Sequence, residues 1–409
     1  MFQSIAPNVA NRDDHSKLRV VTLALAVSLS AFGIACKSDS EAQRVRPRQL
    51  RDVPAQRLAF TFTADVEAPP NAATEDTKPI QAIQQDFDVR RKDEALVLHR
   101  TLPSPDGQRA LALYSAQDEP STTFHIDLYA SSGSFIRNLT PPDLAVEFED
   151  SVQWSADSGY IAFIGLKAQS QPSPTPPGLE PPEPLESPVP SPTVMPAFPP
   201  VATFSTEQIY ICNRDGYDLR PLTTRDGLIY FALSWAPDGH ALAALACKQS
   251  EWDTRKKDLK KPNGRPRVIS LEGQERLLDD ELAQAPPVWS PDSAKIATAF
   301  DVDIGIYDAT GKAPTQARIV LRERMLTASL ALIEKNSPKK SPDPSIANVS
   351  ANSSTIRVPY NFNPIIRIEW PVPEKLYAQT AAYGLANDFP AFPRWHLLTL
   401  SPQAAVLGK

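Results

Sequence analysis

Seven basic side chains fall within thirteen positions: Arg255, Lys256, Lys257, Lys260, Lys261, Arg265 and Arg267. Trp252 precedes them and Asn263-Gly264 supplies a turn inside the run. Clustered cations can hold anionic lipid headgroups or an acidic protein surface, and the same composition also makes an ordinary solvated loop. The cluster stands out because the chain as a whole is acidic, with a formal charge of −6. That balance is the opposite of the basic excess of a nucleic-acid binder, so no nucleic-acid partner is expected. The five histidines, His15, His99, His125, His240 and His396, are far apart in sequence and are expected as packing or surface residues. Asp301-Val302-Asp303-Ile304-Gly305 has the first half of a calcium loop without its later ligands, which predicts a plain turn. No metal or cofactor is expected. G-x-S-x-G, H-E-x-x-H, a Walker loop and paired C-x-x-C are all missing. The sequence therefore predicts a binding protein that is not an enzyme.

The aspartates follow a different pattern. They recur in Trp154-Ser155-Ala156-Asp157-Ser158, Trp235-Ala236-Pro237-Asp238-Gly239 and Trp289-Ser290-Pro291-Asp292-Ser293. A copy without Trp, Pro103-Ser104-Pro105-Asp106-Gly107, precedes these three. An apolar run follows each copy, over residues 109–113, 160–163, 241–243 and 295–299. Proline presets φ and aspartate bonds backbone amides, so each copy predicts a tight turn into a strand buried on both faces. Their recurrence assigns Asp106, Asp157, Asp238 and Asp292 to turn geometry. Two further strands follow most copies, as at residues 124–129 and 136–140, or 208–212 and 219–223. Four short antiparallel strands per unit make the blade of a β-propeller.

The repeat resembles that of TolB-type propellers: W-S-P-D-G-x-x-I-A-F, then I-Y-x-x-D-x-x-G, then R-x-L-T. Trp154, Asp157, Trp235, Pro237, Asp238, Gly239, Trp289, Pro291 and Asp292 carry the match, with Leu139-Thr140 and Leu222-Thr223. The resemblance covers about residues 95–409 and implies an all-β propeller. It is nearly silent on function, because this fold hosts many unrelated roles. Five units are traceable, the fifth degraded and running through residues 366–370, 376–378 and 395–400. Propellers of this type usually close with six, so six blades are expected. Candidate strands for the remainder are residues 57–62, 87–90 and 355–359.

At the N-terminus, Arg12, Lys17 and Arg19 precede a charge-free, mostly apolar run over residues 20–35 that ends at Cys36. Those features describe a secretory signal, and the core falls short of the ~20 residues of a membrane span. Gly33-Ile34-Ala35-Cys36 resembles the lipobox of bacterial lipoproteins, with Gly33 in place of the usual Leu. The resemblance implies a lipid on Cys36, the first mature residue of a signal over residues 1–36. An uncleaved signal anchor is the alternative, and both place the folded part outside the cytoplasm. Residues 37–55 have the polar composition of a disordered tether, which leaves the propeller at 56–409. Cys212 and Cys247 fall on strands of successive blades, ~10 Å apart and beyond easy bridging reach. Unbridged, both serve as buried small hydrophobes.

Two insertions interrupt the repeat. Residues 169–201 hold thirteen of the chain's 42 prolines, cannot pair in a sheet, and predict polyproline II. They form a partner-docking arm or a solvated excursion. Residues 322–363 open with a helical pattern over 322–335, with Met325, Leu326, Leu330 and Leu332 apolar, expected to pack on its own domain. A Ser- and Pro-rich loop follows. These features predict a lipid-anchored propeller facing the periplasm or cell exterior. Its expected role is docking or scaffolding for a protein partner in a membrane complex. The alternative is a receptor for a small ligand or glycan in the central channel.

Overall fold

The hairpin around each Ser-x-Asp turn is the unit from which the fold grows. The computed structural model describes residues 49–70, 78–117, 123–168, 204–257, 263–311, 313–336, 364–380 and 393–402. Ser104, Ser155 and Ser290 each donate a hydroxyl hydrogen bond to the aspartate two positions on, at 2.5–2.6 Å. Asp106, Asp157, Asp238 and Asp292 in turn accept the backbone N–H two residues further on, at 3.0–3.1 Å. The residue after each aspartate is left-handed: Gly107 at φ 67°, Ser158 at 59°, Gly239 at 73° and Ser293 at 59°. Glycine enters that region freely. The two serines bear its strain, and their hydroxyls link neighbouring turns. Ser158 Oγ accepts from Asp106 N–H and Ser293 Oγ from Asp238 N–H, each at 3.0 Å.

After β1 (Ala59–Val66) and helix α1 (Gln81–Arg90), the chain forms antiparallel sheets in sequence order. The first contains β2 (Leu96–Pro103), β3 (Arg109–Ala116), β4 (His125–Ala130) and β5 (Phe135–Asn138). In the second, β6 (Leu144–Val146) and β7 (Gln153–Trp154) both pair β8 (Tyr160–Lys167), followed by β9 (Gln208–Asn213) and β10 (Arg220–Pro221). The third has β11 (Leu228–Trp235), β12 (Ala241–Lys248), helix α2 (Gln249–Lys257), β13 (Arg265–Ser270) and β14 (Glu275–Leu277). The fourth has β15 (Val288–Trp289), β16 (Lys295–Phe300), β17 (Asp303–Asp308) and β18 (Gln316–Val320). Helix α3 (Arg322–Asn336) then leads to β19 (Ile365–Val372), β20 (Lys375–Thr380) and β21 (Arg394–Ser401). Here β1 returns, pairing antiparallel with β21 to complete the fifth sheet.

Sheets of four strands, the last completed by the first strand of the chain, make this a β-propeller. The described residues form the five traceable sheets, and no sixth lies among them. The closing strand falls on the candidate at residues 57–62. Residues 87–90 are not a strand but the end of α1, whose Ile83 and Phe87, one turn apart, are buried against the first sheet. Four residues are too few to separate a helical period from a strand period. The candidate at 355–359 lies outside the described residues.

The repeat tryptophans occupy one register, with Trp154 opposite Ile161, Trp235 opposite Leu242 and Trp289 opposite Ile296. Trp289 is buried, whereas Trp154 and Trp235 are half-buried. Trp154 Nε1 donates to Leu102 O and Trp289 Nε1 to Ser234 O, both at 3.1 Å, each reaching the preceding sheet. Apolar clusters fill the spaces between sheets, for example Ile164, Ile209, Tyr230, Leu242 and Ile296 across the second to fourth. Cys212 and Cys247 are unbridged and buried, and burial pushes both thiols up to about 12.

The folded unit includes residues 49–55, a stretch expected to belong to a disordered tether. Leu50, Val53 and Ala55 are buried. Lys295 Nζ donates to Val53 O and to Asp308 Oδ1, each at 2.6 Å, and Ala55 N–H donates to Asp308 Oδ1 at 3.1 Å. Charged neighbours mask these apolar positions in sequence. At the closing seam, Asp65 accepts two hydrogen bonds from Arg394, at 2.6 and 2.8 Å. His396 stacks on Phe62 with ring centroids 5.5 Å apart. Helix α3 packs on this same domain through buried Met325 and through Ser329 Oγ, which accepts from Arg394 at 2.8 Å. Leu326 and Leu330 are exposed. Among the described residues, no helix is long and apolar enough to cross a membrane.

Candidate functional site

The basic run takes a shape that its composition hides. The expected loop begins as helix α2, which continues directly from β12. Glu251 caps it by accepting from Lys248 N–H at 2.9 Å, the return half of a capping box. The same carboxylate accepts two bonds from Arg265, at 2.8 and 3.0 Å. No apolar period marks α2, because its single aromatic residue, Trp252, supplies the packing. That ring lies 5.7 Å from Phe148 and 5.4 Å from Phe231.

Arg265 and Arg267 therefore do not share a solvated loop with the cations of α2. Arg265 and Arg267 are strand residues of β13. Arg265 is held between Glu251 and Asp280, and buried Arg267 donates to Glu275, which also accepts from Tyr230. These ion pairs are the reason for the correction: both guanidinium groups are already committed inside the third sheet. Arg255 is half-buried, while Lys256 and Lys257 are exposed in the last turn of α2. Lys260, Lys261 and Cys36 lie outside the described residues, as does the proline-rich stretch up to residue 203.

Lys256 belongs instead to a cavity of about 580 Å³ built from three sheets. Arg100 reaches it from β2. Phe124, just ahead of β4, is fixed by a backbone bond from its N–H to Val146 O at 2.9 Å. Glu147, Phe148, Glu149 and Asp150 come from the irregular stretch between β6 and β7. Glu207 precedes β9, and its carbonyl accepts from Tyr230 N–H of the third sheet at 3.2 Å. Trp252 and Lys256 close the wall from α2. The volume lies in the range of small-molecule sites.

Four carboxylates meet two cations in this cavity. Arg100 Nε lies 3.5 Å from Glu149 Oε1, so one cation already has a partner. Burial raises the pKa of Glu147, the charge of Glu207 raises it further, and Lys256 partly offsets both. Glu207 is raised chiefly by burial as well, again against the pull of Lys256. Carboxylates held this way can exchange protons closer to neutrality than free ones, or can bind a cation whose charge restores their balance. Among the described residues, no group of three or more His, Cys, Asp or Glu side chains is arranged to hold a metal ion. Asp301 lies in the turn between β16 and β17 and Asp303 opens β17, paired to Arg322 at 3.3 Å and Arg318 at 4.0 Å.

Sequence reasoning missed Glu147, Phe148 and Glu207. Their signal was available: Glu147-Phe148-Glu149-Asp150 puts three charges where the other copies carry an apolar inner strand.

Neither any family model nor any curated protein matches the chain. Solved structures similar to it include oligogalacturonate lyase in complex with manganese, at 11% identity and TM-score 0.36, over 74% of this chain and 65% of that one. A TolB candidate from Agrobacterium tumefaciens is similar at 12% identity and TM-score 0.32, over 74% of this chain and 76% of that one. Prolyl oligopeptidase B from Galerina marginata is similar at 11% identity and TM-score 0.42, over 90% of this chain and 47% of that one. This chain thus spans about two thirds of the lyase and under half of the peptidase. Likeness of this degree carries no activity across, and the propeller itself rests on the sheets described above. Enzymes nevertheless stand among these structures, which corrects the expectation that missing motifs make this chain a non-enzyme. A propeller without those motifs is no argument against catalysis.

Proposed function

We propose that the chain is an exported binding module, anchored by a lipid on Cys36, that engages its ligand or protein partner on the face where the cavity opens. The observation that carries this reading is the cavity itself, where three sheets and α2 bring aromatic rings and half-buried carboxylates to one place. The proline-rich composition of residues 169–201 suits a protein partner, since polyproline II segments dock with little entropy to lose. The basic start and apolar run before Cys36 support export and anchoring. Docking on a larger membrane complex is the role that joins these features.

Affinity purification from solubilised native membranes tests this reading. Proteins recovered with the wild type are expected to be lost with the Phe148→Ala/Trp252→Ala variant, while its secondary structure is retained. Full recovery with that variant moves the partner surface elsewhere. Separately, Cys36→Ala is expected to release the protein into the soluble or unprocessed fraction. A processed, membrane-bound variant refutes the lipid anchor.

A further inference from the structure

Resting on the reading that this cavity is the binding face, we infer that it takes an organic cation, an ammonium or guanidinium group carried on an apolar body. Three features point the same way. Glu147 and Glu207 face one cavity half-buried, a costly arrangement for two like charges unless a cation joins them. Phe148 and Trp252 supply aromatic surface beside them, and ring faces attract cations and cover apolar bodies. Besides Arg100, paired with Glu149, the cation present is Lys256, an exposed side chain on a flexible stem whose charge reaches both carboxylates. A ligand ammonium would take over the role that Lys256 now fills, and Lys256 would swing to solvent. An anionic ligand fits poorly, because Arg100 is already paired with Glu149 and Lys256 alone would face the remaining carboxylates.

Two sources supply this chemistry: a free amine, or a lysine or arginine side chain on a protein partner. Charge sign can be read from Lys256 itself. Its removal helps a cationic ligand, by deleting a competitor, and harms an anionic one, by deleting its counter-charge. The experiment follows the Trp252 fluorescence of the wild type, with Trp252→Phe as the blank. The probes are phenethylamine, its uncharged analogue phenethyl alcohol, the anion hydrocinnamate, and a capped tetrapeptide with adjacent lysine and phenylalanine.

Phenethylamine or the peptide is expected to bind about tenfold more tightly than the alcohol, about 1.4 kcal/mol. Glu147→Gln/Glu207→Gln should erase that preference, and Lys256→Gln should strengthen ammonium binding. Tighter binding of the peptide assigns the site to a partner's basic side chain, and tighter binding of phenethylamine assigns it to a free amine. Stronger binding of hydrocinnamate, or weaker ammonium binding by Lys256→Gln, overturns the cation assignment while leaving the cavity as the binding face. If no probe perturbs Trp252 in the wild type, the cation inference falls, whereas the binding face itself stands or falls with the affinity purification. Thermal melts of each variant separate loss of binding from loss of folding.

Discussion

A carboxylate held half out of water weakens the fold that holds it. Glu147 and Glu207 have raised pKa values in the folded chain, so the folded state keeps their protons to higher pH than the unfolded state does. Stability from this source is greatest at low pH and falls as pH rises through the window above the ordinary carboxylate value. Glu147→Gln/Glu207→Gln is therefore expected to raise Tm at pH 7 and leave it near wild type at pH 4, as thermal melts at the two pH values will show. Such a gain marks a site shaped for a ligand at the cost of stability. The repeat tryptophans allow a finer comparison. Trp289 Nε1 has a carbonyl partner, whereas Trp235 Nε1 is buried without a partner among the described residues. Trp289→Phe removes a hydrogen bond to the Ser234 carbonyl, but Trp235→Phe removes an unsatisfied donor. Urea unfolding should find Trp289→Phe about 1–2 kcal/mol more costly than Trp235→Phe. Lys295→Met, which strands Asp308 in the interior, should cost about 3–5 kcal/mol by the same measurement.

At the scale of elements, the parts legible in sequence are those with a period or a turn signature. The Ser-Pro-Asp turns, the strands after them and helix α3 repeat or alternate strongly enough to be read directly. Helices α1 and α2 are not legible, because α1 buries only two side chains, α2 buries none fully, and neither has an apolar stripe. The cavity is hidden for a related reason: its walls come from residues about 150 positions apart, joined only once three sheets stand side by side. The basic run shows the converse error, since sequence proximity gathered side chains that alternate strand geometry and local ion pairs then separated. Seams between elements also set pH behaviour. His396, buried between β1 and β20, is lowered to about 4, chiefly by burial and then by the charge of Arg394. Its folded state favours the neutral ring, so the unfolded state takes the proton first. Stability from this histidine is complete above about 6.5 and declines by about 3 kcal/mol as pH falls towards 4. His396→Gln should flatten that decline relative to wild type in urea titrations across the same window. An unchanged slope would place the titration elsewhere.

For the whole molecule, residues 49–66 hold the fourth and fifth sheets together, and the first part of that segment is one that sequence composition assigns to a tether. The segment from Gln49 is pinned to the fourth sheet by Lys295 and Asp308, and the next strand, β1, is the outer strand of the fifth. The segment over residues 49–66 therefore ties the fourth and fifth sheets together. Without β1, the β21 edge would expose unpaired backbone along residues 395–401, beside Leu398 and Leu400 that pack with Phe60 and Phe62. Arg394 would lose its two bonds to Asp65 while still buried. An unpaired apolar edge templates association between copies. A chain starting at residue 49 should thus be monomeric by size-exclusion chromatography and melt in one transition like the full chain. A chain starting at residue 67 should aggregate, or melt far lower, although it loses only eighteen more residues. Adding a peptide of residues 49–66 in trans should restore part of the lost stability, since pairing with β21 needs no covalent link. Equal behaviour of the two truncated chains would show that the fifth sheet holds without its first strand.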